Sequence, residues 1–440
     1  MRCICRILGV LVLLVPVYIV ATPGFSGTLT PPVLEESKSQ DRLSRIVQRY
    51  VFTHNMTEAE QLEKQIIEYP KATLPRIKAT LQRGRSYSKE LVGQQPGRVI
   101  HVRGQEAYYG LFVPSSYNPS RAYPLVVCLH GYGFTGDSYL DRWQKRLGEN
   151  YLLACPTYME SAWWNRFGEE LVLATLHDVQ ARYHVDRNRI FITGMSNGGI
   201  GTWIIGMHHA DVFAGIAPMA SGIDEALYPF LANLRQTPVY VIHGVLDQIM
   251  PVGLSRRLVR EMAERQIPHV YREHTQSHSH AGGHFFPREE LPELVAWFDR
   301  QQRVPSFRHV DVVRDATHLT RFSWTRIDAT DRIAAFSENL VDSRDEFITR
   351  QVYATLEAEL VAPNHVVVQT TFVRRYSLFF NQNLIDFSQP LIVETNGIQS
   401  FHGLVVPDRK TLLHEARLRK DPGRLFSAQV TIDVEPTSPE

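Results

Sequence analysis

Cysteine is scarce in this chain: four in 440 residues, two of them at positions 3 and 5. So few thiols exclude a disulfide scaffold, and a chain of this length buries enough apolar surface to do without one. Cys128 and Cys155 each sit inside an apolar run, at 125–129 and 151–155. If those runs are neighbouring parallel strands a disulfide between them is sterically awkward, so two buried thiols are expected. Excess charge of either sign is also missing. Lys and Arg number 47 against 46 Asp and Glu, so nothing in the balance points to nucleic acid or an anionic membrane surface as partner. No apolar run is long enough to span a bilayer: residues 7–21 are apolar throughout, 15 positions against the ~20 a spanning helix needs. With Arg2 and Arg6 ahead and a small, turn-rich stretch at 22–27 behind, this segment reads as a secretory signal peptide over 1–27. The expected location is exported, periplasmic or secreted, or membrane-anchored if the segment is retained.

What is present divides the chain by hydrophobic period. Residues 35–90 hold three helix-like runs, near 41–52, 57–68 and 74–83, with Leu43, Ile46, Val47 and Tyr50 on one helical face. This helical segment is expected to pack on the main domain. Over 97–303 short apolar runs alternate with amphipathic helices, implying a mostly parallel sheet covered on both faces, an α/β fold. Beyond Pro305 the helices stop. Short β-type runs follow at 310–313, 322–327, 333–336, 352–356, 366–372, 376–380, 391–393, 404–406 and 428–434, suggesting a β-sandwich over 305–440. Asn396-Gly397 is its best hairpin turn, because both residue types tolerate positive φ.

The chemistry centres on Gly194-Met195-Ser196-Asn197-Gly198, between the apolar run at 190–193 and a helix-like run from Gly199. A sharp strand-to-helix turn of this kind lifts a serine hydroxyl clear of the backbone, and the helix N–H groups face the place where an oxyanion would form. Upstream, His130-Gly131-Tyr132-Gly133 follows the strand-like run at 125–129. The backbone N–H groups of Tyr132 and Asn197 are the candidate oxyanion donors, and His130 is expected to hold its loop rather than move protons. Asp247, in a loop just after the apolar run at 239–243, is the candidate acid partner, with a helix cap as the bland alternative. For the base there are His274, His278, His280 and His284. Gly282-Gly283-His284 is favoured because two glycines allow the sharp bend that delivers a ring into a cleft, with His278 and His280 as alternatives. The same histidines, at spacings of 4, 2 and 4, have a zinc reading, but no cysteine or carboxylate lies among them after Glu273, so no metal is expected. Trp163 and Trp164 are candidates for an acyl or aromatic pocket, or for core packing.

These motifs carry a resemblance. The stretches 123–133 (YPLVVCLHGYG), 185–199 (VDRNRIFITGMSNGG) and 243–252 (HGVLDQIMPV) look like an α/β-hydrolase, and are similar to exported polyhydroxybutyrate depolymerase and feruloyl esterase-like enzymes and to prolyl oligopeptidase-type serine hydrolases. The resemblance implies Ser196 as nucleophile, Asp247 as orienting acid, His284 as base, Asn197 and Tyr132 as oxyanion donors, and no cofactor. It covers residues 97–303 and departs from the family where 274–281 precede Gly-Gly-His. Three functions compete: a carboxylic ester hydrolase acting on an ester-bearing small molecule or polymer, a serine peptidase with the same triad, and a binding module without turnover. About 40 residues separate Ser196 from the run at 239–243, which leaves no room for a large cap and favours the esterase. No nucleic-acid partner, and no stable membrane partner after signal cleavage, is expected.

Overall fold

The computed structural model describes residues 42–53, 55–315, 319–334 and 346–435, so the expected signal segment at 1–27 lies outside the described residues. Among the described residues no helix is long and apolar enough to cross a membrane. Three helices come first, α1 (Arg42–Phe52), α2 (Met56–Glu68) and α3 (Leu74–Arg83). Each buries one stripe: Leu43, Val47 and Tyr50 on α1, Leu62 and Ile66 on α2, Ile77 and Leu81 on α3.

The central part runs β1 (Gly93–Val102), β2 (Gln105–Val113), β3 (Tyr123–Leu129), α4 (Gly136–Leu147), β4 (Leu152–Thr157), α5 (Arg166–Arg182), β5 (Val185–Met195) and α6 (Asn197–His208). It continues with β6 (Gly215–Met219), β7 (Val239–Gly244), α7 (Gly253–Glu264), β8 (His269–His274) and α8 (Leu291–Arg300). The eight strands form one sheet in the order β1-β2-β4-β3-β5-β6-β7-β8. β1 and β2 pair antiparallel, as do β2 and β4, and every later pair is parallel. Period-two alternation splits β3 between two cores. Leu125, Val127 and Leu129 face the cluster under α5 and α6, while Val126 and Cys128 face the one under α4 and α8. With both faces covered, all residues of β3 and β7 are buried. This is the α/β-hydrolase fold expected from the motifs. Cys128 and Cys155 are both buried free thiols, as expected.

The C-terminal part contains β9 (His309–Arg314), β10 (Arg321–Phe322), β11 (Thr325–Thr330), β12 (Ala354–Ala362), β13 (His365–Thr371), β14 (Val373–Phe380), β15 (Leu391–Thr395), β16 (Ile398–Gly403), α9 (Arg409–Arg419) and β17 (Ala428–Asp433). A five-stranded sheet, β16-β15-β13-β12-β9, and a four-stranded one, β10-β11-β14-β17, contribute inner residues such as Val366 and Leu378 to one core. Asn396 and Gly397, at φ 51° and 82°, make the expected hairpin between β15 and β16. Two strand expectations fail. Residues 404–406 form no strand; pairing ends at Gly403, and Leu404 and Val406 point their apolar side chains to solvent. Residues 333–334 also carry no strand, and 335–336 lie outside the described residues.

The parts are joined through their interiors. Val310, Val312, Trp324 and Phe380 belong to the same apolar cluster as Trp203 and Ile205 of α6. Asn233 bridges them, its Nδ2 donating to Met207 O at 3.0 Å and its Oδ1 accepting the Val313 N–H at 2.7 Å. The helical segment differs from expectation: its apolar stripe closes chiefly on Leu412, Leu413 and Ala416 of α9, not on the main sheet.

Candidate active site

β5 passes directly into α6 through Ser196, which holds φ 59° and ψ −125°, a conformation a non-glycine residue adopts only where its surroundings impose it. Two close approaches require glycine. A Cβ on Gly198 would lie 2.1 Å from Leu129 O, and one on Gly194 would lie 2.4 Å from Gly198 O. The Ser196 N–H donates to Met219 O at 3.1 Å and its carbonyl accepts the Ile200 N–H at 3.0 Å, so its backbone is tied to both β6 and α6. The side chain therefore leaves the sheet at its carboxyl edge, as the elbow motif implies.

Asp247 lies on the loop after β7, with its side chain fully buried. Its Oδ1 accepts the N–H groups of Ile249 and Met250, each at 2.8 Å. Its Oδ2 faces His284 Nδ1 at 2.8 Å and His243 Nε2 at 3.2 Å. Burial pushes the carboxyl pKa up, but hydrogen bonds from His243, His284 and the Met250 N–H outweigh it and hold the group well below the usual carboxylate range. Asp247 is thus an ionised acceptor. The His284 Nδ1 carries the proton toward it, which leaves Nε2 as the ring's free acceptor.

The Gly-Gly pair sets that ring. Gly282 has φ +57°, and a Cβ there would meet Leu246 O at 2.1 Å, while a Cβ on Gly283 would sit 2.9 Å from Asp247 N. The Gly283 N–H donates to Leu246 O at 2.9 Å, and Gly282 bridges to both Asp247 and His278. Clasped against the acid loop in this way, the chain delivers His284 onto Asp247. The other histidines have separate places: His274 Nε2 lies 3.0 Å from Phe285 O, and His278, exposed, packs its ring on Phe285. His280 is exposed.

The loop after β3 runs beside the elbow. A Cβ on Gly131 would touch Ser196 Cβ at 3.4 Å, so the backbone leading into Tyr132 flanks the serine. Asn197, at the first position of α6, has an N–H with no acceptor inside its own helix. His130 is fully buried: Nδ1 donates to Gly131 O at 2.9 Å and Nε2 accepts the Tyr158 N–H at 3.0 Å, the loop-holding role expected of it. Burial lowers its pKa, consistent with a neutral ring.

Trp163 takes the core-packing alternative. It is fully buried, and its indole N–H donates to His130 O at 2.9 Å, so it forms the floor under the loop. Trp164 is half-buried and packs against the same core. The exposed apolar side chains at this edge are instead Tyr132 at 74%, Met159 at 66% and Leu246 at 50%. Sequence reasoning passed over His243, which is fully buried with Nδ1 2.7 Å from Ser255 Oγ and Nε2 2.8 Å from Met250 O. Its signal was its place at the end of β7, four residues before the acid.

No protein-family model matches the chain. It is 26% identical over 176 residues to the probable feruloyl esterase C of Aspergillus terreus, covering 36% of this chain and 62% of that protein. It is 28% identical over 179 residues to the probable feruloyl esterase C of Aspergillus clavatus, covering 37% and 63%. To the poly(3-hydroxyalkanoate) depolymerase C of Paucimonas lemoignei it is 32% identical over 126 residues, covering 25% and 30%. The chain thus spans less than two thirds of the length of these curated relatives. Solved structures that overlay part of it include a thermostable esterase, at 27% identity and a TM-score of 0.38 over 47% of this chain and 63% of that one. An acylaminoacyl peptidase overlays at 17% identity and a TM-score of 0.38, over 49% and 43%.

Proposed function

We propose that this chain, a protein of the α/β-hydrolase superfamily, is an exported serine hydrolase that cleaves carboxylic esters through an acyl-enzyme on Ser196. His284 Nε2 takes the Ser196 proton as the hydroxyl attacks the ester carbonyl, and Asp247 steadies the imidazolium that results. The N–H groups of Tyr132 and Asn197 receive the oxyanion. His284 then protonates the leaving alcohol, and water activated by the same ring releases the acid. The observation that carries this reading is the 2.8 Å bond between His284 Nδ1 and an Asp247 held ionised, on the sheet edge where Ser196 is presented.

An ester as substrate is supported by the relatives, whose names are feruloyl esterase and poly(3-hydroxyalkanoate) depolymerase. The exposed rim of Tyr132, Met159 and Leu246 suits a bulky or aromatic ester, or the surface of a polyester. Export rests on the character of residues 1–27. Nitrophenyl ester hydrolysis by the wild type, lost by roughly 10⁴-fold or more in Ser196→Ala, is the expected result; equal rates refute the nucleophile. His284→Ala should be inactive while His278→Ala and His280→Ala keep their rates. A substrate panel of feruloyl esters, polyester and aminoacyl amides separates the readings, and turnover of the amides alone would establish a peptidase in place of an esterase.

A further inference from the structure

The three parts of the chain meet around a cavity of about 330 Å³, large enough for a small organic molecule. It lies at the amino edge of the sheet, far from Ser196. Arg187 lies in the bulged start of β5, between Val185 opposite Tyr123 and Ile190 opposite Leu125, and the regular strand from Ile190 to Ser196 alone spans about 20 Å at ~3.3 Å per residue.

The wall of this cavity is cationic. Arg83 and Arg85 arrive from the end of α3, Arg187 from β5 and Lys420 from the end of α9. Two carboxylates face them, and both have other partners. Asp421 is bound by Arg303 Nη2 at 2.6 Å, and Asp186 Oδ1 accepts the Asn188 N–H at 3.0 Å. Arg187 donates to a neutral acceptor, Gln180 Oε1, at 2.6 Å. The Arg85 guanidinium is held at 5.0 Å from the Phe52 ring and 5.6 Å from the Tyr87 ring, and its Nε is buried without a hydrogen-bond partner. Lys420 sits at φ 49°, capping α9, where burial and then repulsion from Arg417 and Arg187 push its ammonium pKa down. Like charges gathered in a partly desolvated space raise the free energy of the empty site, and an anion among them removes that cost. Beside the cations, Tyr87 stacks on His184 with ring centroids 4.8 Å apart, giving the cavity a flat apolar flank.

We propose that this cavity binds a small oxyanion, a carboxylate, phosphate or sulfate, whose oxygens engage Arg85, Arg187 and Lys420. The guanidinium forks suit two-point contact with such a group. Because the ligands come from the helical segment, the sheet and α9, occupancy ties the three parts together and stabilises the folded chain. The site is independent of the ester chemistry at Ser196.

The test uses the full chain at constant ionic strength, with chloride as reference and inorganic phosphate, sulfate and benzoate as probes. Calorimetric titration should show saturable binding at one site, and the unfolding midpoint should rise with probe concentration. Phosphate or sulfate binding points to an inorganic or ester-linked oxyanion as ligand, and benzoate binding to an organic acid seated against Tyr87. Sulfate and phosphate also raise midpoints by exclusion from protein surfaces, so the variants decide. Lys420→Gln and Arg187→Gln, each verified as folded by circular dichroism and undiminished ester hydrolysis, should bind about tenfold or more weakly, the effect of losing one charged hydrogen bond. The proposal is overturned if none of the probes gives saturable binding to the wild type, or if both folded variants bind with wild-type affinity.

Discussion

At Gly282 a methyl group would meet both a positive φ and the Leu246 carbonyl, and the residue two positions on is His284. Gly282→Ala is therefore expected to lower stability by about 1–3 kcal/mol and to cut ester turnover by displacing the ring from Asp247; thermal melts and kcat measure the two effects. Asp247 carries a pH signature. Its folded pKa lies below the unfolded value of ~3.9, so its contribution to stability is complete above that pH and is lost as the pH falls through the ordinary carboxylate range toward the folded value. Asp247→Asn should flatten that part of the acid-unfolding curve and lower kcat by roughly 10⁴-fold, because an amide cannot hold the same tautomer. The sharp turn at Ser196 and the pairing of Asp247 with His284 were legible in the sequence because glycine spacing and strand context mark them locally. The role of His243 and the partner of Trp163 were not. What a buried ring faces is decided by residues far along the chain: Ser255 lies beside His243, and the His130 carbonyl above Trp163.

At the scale of elements, the parallel strands were the most legible, since β3 and β7 are uninterrupted apolar runs that only a sheet covered on both faces can bury. α9 was hidden. Its sequence is dominated by Arg, Lys, His and Glu, and its buried Leu412, Leu413 and Ala416 form a narrow stripe amid β-type segments. Leu413 is fully buried in the core shared with α1–α3, so Leu413→Ala should cost about 2–5 kcal/mol, read from denaturant unfolding, with little change in KM. Glu415, on the same helix, is fully buried between Arg321 and Arg419. Burial alone would raise its pKa, but His414, Arg419 and Arg321 bring it down to about 2.

At the scale of the molecule, the central sheet and the sandwich share one apolar core and a buried ionic seam. Arg424 Nη1 meets Asp211 Oδ2 at 2.7 Å, and Arg303 Nη2 meets Asp421 Oδ2 at 2.6 Å. Deleting one partner strands the other charge, so Asp211→Ala should destabilise by about 3–5 kcal/mol, measured by calorimetry. The composition change at 305 marks where helices give way to strands, but local pattern cannot show whether two such parts share an interior. α1–α3 precede α9 by more than 300 residues, yet α9 closes the apolar cluster they form; Arg409 reaches back 342 positions to the Ile67 carbonyl. Without α9, the apolar stripes of α1–α3 have only one another to pack against. A product truncated before Arg409 loses one wall of that cluster and leaves part of the stripe on α1–α3 open to proteases, so the fold carries its own check that synthesis has run past that point.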